Sequence, residues 1–124
     1  YILESSSQIA FGAFDEEKPV GFLCMKETGA DTVEISVMGI LKEYHRKGIG
    51  TKLFTEAKAF AASKGYSFMQ VKTVQMGKYP AYDGTNRFYR SLGFKEFEVF
   101  PTLWDEWNPC QVYVTALEKD SILP

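Results

Sequence analysis

The run His45-Arg46-Lys47-Gly48-Ile49-Gly50-Thr51 is the part of this chain best equipped for chemistry. It stands where a strand pattern ends and an amphipathic helical pattern begins. The first backbone N–H groups of a helix have no partner inside it, and the helix dipole adds partial positive charge at that end. Glycine lets a bulky anion approach those amides closely, while Arg46 and Lys47 add two full charges. The combination suits phosphate or pyrophosphate. Spacing alone also leaves open a second reading, a tight strand-to-helix turn with a solvated basic flank. Two common nucleotide loops do not fit. A dinucleotide fingerprint needs a third glycine where this chain has Leu53, and an antiparallel pattern precedes the run. A Walker-type loop needs G-x-x-x-x-G-K-[ST], which the chain lacks.

Other candidates are fewer. Pro101–Pro109 places two tryptophans, Trp104 and Trp107, around Asp105 and Glu106. Such a loop would suit a cationic amine, and it would equally suit a packed hairpin or a dimer contact. Tyr79, Tyr82 and Asp83 pose the same choice. With one His, and two Cys at positions 24 and 110, no metal-ligand cluster is readable. No serine sits in a G-x-S-x-G elbow. Lys plus Arg number 14 against 16 Asp plus Glu, a net charge of −2, and the aromatics show no basic interleaving of the kind nucleic acid demands, so nucleic acid is not an expected partner. No run of 18 apolar residues exists, so no membrane span is expected.

The elements that must position these residues follow from periodicity. Residues 8–14, 19–27 and 32–41 read as an antiparallel meander separated by turn signals at 15–19 and 28–31. Alternation along the third strand puts Val33, Ile35, Val37 and Leu41 on one face and Glu34, Ser36, Met38 and Ile40 on the other. From Gly48 to Lys64 the period becomes helical, with Ile49, Leu53, Ala57, Phe60 and Ala61 on the apolar side and Gly65 as a stop. A strand near 67–74 comes next, then a loop at 76–84. A short helix from Thr85 to Leu92 follows, ended by Gly93-Phe94, and strands at 95–100 and 110–117 close the chain. The order β-β-β-α-β-α-β-β implies one mixed α/β (α+β) sheet with helices packed on it.

The stretch Ile40-Leu41-Lys42-Glu43-Tyr44-His45-Arg46-Lys47-Gly48-Ile49-Gly50 resembles the acyl-CoA pyrophosphate loop of the GNAT superfamily of N-acetyltransferases. The family pattern there is [QR]-x-x-G-x-[GA]; Gly48 and Gly50 match it, and His45 replaces the usual Gln or Arg. Phe88-Tyr89-Arg90-Ser91-Leu92-Gly93-Phe94 resembles the second signature, a tyrosine followed by Gly-Phe. The likeness spans about residues 8–117, without the family's first strand and first helices. It implies an acetyl-CoA co-substrate, no metal, and direct attack by a primary amine in a ternary complex. It implies a cofactor site on His45, Arg46, Lys47, Gly48, Ile49, Gly50 and Thr51, with main-chain groups of Met38 and Ile40 along the pantetheine arm. Glu34 to Ile40 is six residues, roughly 20 Å of strand, a length that suits such an arm. Tyr89 would protonate the leaving thiolate; its bland alternative is packing with Phe88 and Leu92. Glu34 would relieve the amine of its proton, directly or through water, since an amine of pKa near 10.4 is about 1 part in 2,500 neutral at pH 7. Its alternative is a cross-strand charge.

At 124 residues the chain is about 0.8 of a typical domain length, so a single domain over 1–124 is expected. With 45% hydrophobic and 24% charged residues the composition is that of a globular domain. Two cysteines in so small a chain read as reduced thiols, which places it in the cytoplasm. The N-terminus lacks a leader pattern and an initiator Met, so the chain reads as a trimmed piece of something longer. The acceptor is a small-molecule or peptide amine; polyamines, aminoglycosides, amino acids and protein N-termini all remain open, as does a homodimer. Two other classes remain: a catalytically weak GNAT-like module that holds acyl-CoA as a sensor or partner-binding domain, and a nucleotide-binding domain unrelated to CoA.

Overall fold

The computed structural model describes Ile2–Glu4 and Gln8–Leu117. The elements run β1 (Ile2–Glu4), β2 (Gln8–Asp15), β3 (Lys18–Gly29), β4 (Thr32–Ile40), a 3-10 turn (Lys42–Tyr44), α1 (Ile49–Ser63), β5 (Phe68–Val74), α2 (Pro80–Ser91), β6 (Lys95–Phe100) and β7 (Cys110–Ala116). The described residues fall into two compact units, one reaching Met69 and including Leu117, the other Gln70–Ala116. The strand order is β1-β2-β3-β4 in the first and β5-β7-β6 in the second, with β5 starting just before the boundary. This is the mixed α/β architecture that the periodicity implies. β1, unforeseen in the sequence, pairs antiparallel with β2.

In the first unit the meander is antiparallel throughout, and α1 packs on it. Phe11 of β2 meets Phe60 of α1 edge-on at 5.8 Å, which makes the Phe11 side of the sheet the helix side. Cross-strand partners share a face, so Leu23, opposite Phe11, lies there too, and so does Met25 two residues on. Leu53, Phe54, Ala57 and Ala61 complete this core from the helix. α1 ends as expected: Gly65 N–H bonds Ala62 O at 3.0 Å and Tyr66 N–H reaches back to Ala61 O at 3.2 Å.

The face assignment along β4 needs correction. Cys24 pairs with Val37 but Met25 pairs with Ile35, so Ser36 is an extra residue, a bulge that inverts the alternation. Met38 lies opposite Leu23 and Ile40 opposite Gly21, so both side chains share the helix face with Val33 and Ile35. A Cβ on Gly21 would meet Ile40 Cδ1 at 2.9 Å and Ile49 Cγ2 at 3.3 Å, which confirms that face. Val37 falls on the opposite face and is 52% exposed. Glu34, opposite Lys26, is also on that face, not on the face of Met38 and Ile40.

In the second unit β6 and β7 form an antiparallel hairpin with a shift between Glu96 and Glu98. The second helix starts five residues earlier than the sequence pattern implies. Pro80 occupies its first turn, where a missing N–H costs nothing. Its end is the expected one: Gly93, at φ 100, donates to Arg90 O at 3.0 Å and Phe94 N–H reaches Tyr89 O at 3.2 Å. Cys24 is half-buried in β3 and Cys110 is buried at the start of β7; no disulfide joins them. No helix among the described residues is long and apolar enough to cross a membrane, which says nothing of a β-barrel.

Candidate active site

The loop between β4 and α1 is built to leave amides bare. Gly48, at φ 79 in the left-handed region, precedes the helix, and Lys52 N–H makes the first helical bond to Gly48 O at 3.0 Å. No side chain caps this end and no acidic residue occupies the first turn. The first-turn amides therefore keep their donors and the positive end of the dipole. Arg46, also at positive φ (63°), and Lys47 are exposed beside them. Lys47 Nζ lies 5.3 Å from the centre of the Tyr44 ring, with Lys18 Nζ 5.6 Å from the same centre. The Tyr44 hydroxyl donates to Asp15 Oδ2 at 2.6 Å, and this contact holds the phenol above its ordinary value.

His45 has a more local task than the sequence implies. Its Nε2 lies 2.9 Å from Ile40 O. A carbonyl only accepts, so Nε2 is the donor, and Nδ1 carries a proton only in the imidazolium. Through this bond the ring braces the turn. The main-chain groups of β4 alternate in direction. Leu41 N–H bonds Val20 O at 2.9 Å, so Leu41 and Gly39 turn their amides toward β3. Met38 and Ile40 alternate with them and direct their N–H and C=O groups away from β3. Glu34, six residues before Ile40, is 7% exposed and engaged in the structure.

The second unit carries Tyr89, 8% exposed on α2. Its ring packs against Phe94 and Phe88, each at 5.8 Å, and against Tyr113 at 6.4 Å. Burial pushes its phenol above the ordinary value, which keeps the proton in place. Among the described residues the hydroxyl has no hydrogen-bond partner. Among the described residues no buried side-chain polar atom is left unsatisfied. The bland alternative is half right, since the ring packs but its partners are Phe88, Phe94 and Tyr113.

The sequence did not reveal Asn86. It is fully buried, donating through Nδ2 to Val74 O at 2.9 Å and Tyr82 O at 2.6 Å. Its Oδ1 accepts the Tyr113 hydroxyl at 2.6 Å, and Arg90 Nε donates to that hydroxyl at 3.3 Å. Arg90 also pairs with Glu96 at 3.0 Å. This network fixes the end of β5 to the helix that carries Tyr89, one helical turn away. An Asn three residues before a Tyr on a helical face was the available signal. No group of His, Cys, Asp and Glu among the described residues could hold a metal.

A bare helix N-terminus beside a glycine loop, and a buried phenol on a separate short helix, are the two features that the sequence resemblance singled out. The chain belongs to the GNAT family: the family profile described as Acetyltransferase (GNAT) domain matches residues 6–96. No curated protein sequence matches the chain. Solved structures do. A GNAT family acetyltransferase from Elizabethkingia anophelis with acetyl-CoA bound superposes with a TM-score of 0.79 at 16% identity, over 90% of this chain and 78% of that one. An aminoglycoside 6'-N-acetyltransferase from Enterococcus faecium gives 0.77 at 20% identity, over 94% and 78%. A ribosomal-protein-alanine N-acetyltransferase from Escherichia coli gives 0.77 at 14%, over 98% and 77%. At these identities the likeness is one of fold.

Proposed function

We propose that the chain transfers the acetyl group of acetyl-CoA to a primary amine by direct attack. The observation that carries this is the uncapped first turn of α1, with Arg46 and Lys47 beside it. Its donors and charge fit a pyrophosphate, and the solved relative that holds acetyl-CoA shares the fold. When bound, acetyl-CoA supplies the thioester: the amine nitrogen bonds to its carbonyl carbon, the C–S bond breaks and CoA leaves as the thiol.

The chain's residues then have separate tasks. Amides of residues 46–51 hold the pyrophosphate, and main-chain groups of Met38 and Ile40 align the arm. Tyr89 Oη gives its proton to the departing sulfur, a task that its raised value suits at neutral pH. The Glu34 carboxylate, or a water it orients, takes the proton from the amine. The two cysteines, without a disulfide, fit a reducing, cytoplasmic setting. Calorimetry with CoA, followed by thiol release over an amine panel, tests the reading. CoA binding with turnover supports it, CoA binding without turnover favours the sensor module, and preference for ATP or NAD over CoA overturns it.

A further inference from the structure

One phenolic oxygen holds α2 at two points. The Tyr113 hydroxyl donates to Asn86 Oδ1 at 2.6 Å and accepts Arg90 Nε at 3.3 Å. Asn86, Tyr89 and Arg90 stand at i, i+3 and i+4 of the helix, so they share one face and the two bonded positions bracket Tyr89. The two anchors lie about 6 Å apart along the axis. Bonds a helical turn apart oppose both sliding of α2 along its axis and rolling about it. The anchors are themselves tied down. Asn86 Nδ2 donates to Val74 O at the end of β5, and Arg90 pairs at 3.0 Å with Glu96, the cross-strand partner of Tyr113. Through this oxygen and its neighbours the helix is referenced to β5, β6 and β7 together.

Stability alone does not require such an arrangement. Asn86 and Tyr113 are fully buried, where an apolar pair of similar shape would avoid the desolvation of an amide and a hydroxyl. What a satisfied buried network adds is a single geometry, because hydrogen bonds fix distance and direction where apolar contacts slide. Tyr89 is the residue with most need of it. Its hydroxyl makes no hydrogen bond among the described residues, so its place is set by the ring alone. Of the three rings against it, Phe88 lies on α2 itself and Phe94 in the turn that closes the helix, so both move with it. Tyr113, at 6.4 Å, is the one carried by a separate strand. Proton transfer to a leaving sulfur is sensitive to such placement, since a 1 Å error can cost about 10²-fold.

We propose that Tyr113 is the positioning residue of the proton donor: through Asn86 and Arg90, its hydroxyl sets where Tyr89 Oη stands. Tyr113 keeps its own proton, which lies in the bond to Asn86, while the proton given to the sulfur comes from Tyr89. This inference rests on the acetyl-transfer reading above and adds a residue to that site.

The test is Tyr113→Phe in the whole chain, which removes one oxygen and keeps the ring against Tyr89. In single turnover with acetyl-CoA the chemical step is expected to slow at least about tenfold, while the calorimetric Kd for CoA holds within about twofold. With an acetyl thioester whose thiol has a low pKa the loss is expected to fall below about threefold, because that thiolate leaves with little protonation. In a Tyr89→Phe background, Tyr113→Phe is expected to add less than about twofold, since the group it positions is already gone. A residue that only supports the fold would lower the melting temperature, slow both donors alike and add in full to Tyr89→Phe. Either of those kinetic results overturns the proposal, and so does an unaltered rate. Should Tyr113→Phe not fold, Arg90→Met replaces it, because that side chain is 45% exposed and the substitution withdraws one anchor while keeping the stem. The same dependence on the donor is expected there, with a loss of about threefold. Failure of the acetyl-transfer reading looks different, since the wild-type chain would then not bind CoA or would acetylate no amine. In that case 3-fluorotyrosine in place of Tyr89 decides by its fluorine NMR signal. Tyr113→Phe is expected to shift or broaden that signal, and an unchanged spectrum overturns the proposal.

Discussion

Tyr89→Phe separates chemistry from architecture because the two effects differ so much in size. The Tyr89 ring meets Phe88, Phe94 and Tyr113 within 5.8–6.4 Å, and phenylalanine keeps all three contacts. The deleted hydroxyl has no partner among the described residues, so nothing buried is left unsatisfied. The expected stability change is under about 1 kcal/mol. Loss of a general acid costs about 10²–10⁴ in rate, equivalent to about 2.7–5.5 kcal/mol of barrier. The assay is thiol release in single turnover with two donors, acetyl-CoA and an acetyl thioester whose thiol has a low pKa. The loss is expected to be large with the first and much smaller with the second, because a good leaving thiolate needs little protonation. Burial raises the phenol, so the wild-type alkaline limb due to Tyr89 falls above pH 10 and vanishes in the variant. The same shift fixes the sign for stability. Tyr89's contribution is complete below the unfolded value of about 10 and is lost as pH rises through the folded value, so Tyr89→Phe unfolds less readily in alkali. Equal impairment with both donors would refute the proton-donor role and leave Tyr89 as a positioning residue. No impairment with either would reduce it to packing.

Four further outcomes are expected. Gly50→Asp puts a side chain and negative charge at the α1 N-terminus and weakens CoA binding at least tenfold, about 1.4 kcal/mol, by calorimetry; unchanged affinity in a folded variant removes the phosphate-loop assignment. Glu34→Gln lowers turnover mainly at low pH, and a pH–rate profile overlaying the wild type assigns the proton to water or another group. Asn86→Leu takes the side-chain partner from the Val74 carbonyl and from the Tyr113 hydroxyl and costs about 2–4 kcal/mol in urea unfolding. The Asn108 side chain and the N–H groups of Trp107 and Asn108 hold the Asp105 carboxyl below its ordinary value, so its hold on the 101–109 loop is full above the ordinary carboxylate range and is lost as pH falls through the folded value. Tryptophan fluorescence should therefore shift at low pH in the wild type and not in Asp105→Asn.

The elements legible in the sequence were those with local causes. The helical period from Ile49 and the stop at Gly65 are written in consecutive residues, and so is the Gly93-Phe94 ending. The glycine turn between β4 and α1 was legible because the chain must switch there from strand to helix, and Gly48 takes the positive φ that the switch requires. What stayed hidden depends on partners distant in sequence. Ser36 becomes a bulge only because Met25 selects Ile35 and Cys24 selects Val37, a choice made by β3. Asn86 looked like a surface polar residue of a short helix until Tyr113, 27 residues on, supplied its hydroxyl. The early start of α2 was masked because Pro80 reads as a breaker when the chain before it is rich in Gly and Tyr. His45 could not be assigned to a brace without knowing where Ile40 O points.

The bulge at Ser36 also sets what kinds of change β4 can absorb. The hydroxyl bonds Cys24 O at 3.3 Å, a contact worth about 1 kcal/mol, so substitution there is affordable. Deletion is another matter. Removing one residue restores strict alternation, and the strand must then send either Val33 and Ile35 or Met38 and Ile40 out of the core to keep the other pair in. Glu34 would change sides with the upstream half. Point substitutions along this strand can therefore accumulate independently, whereas a single-residue indel at its midpoint acts on the core and on the candidate base at once. A deletion scan across 34–38 should give a sharp intolerance where a substitution scan gives a shallow one.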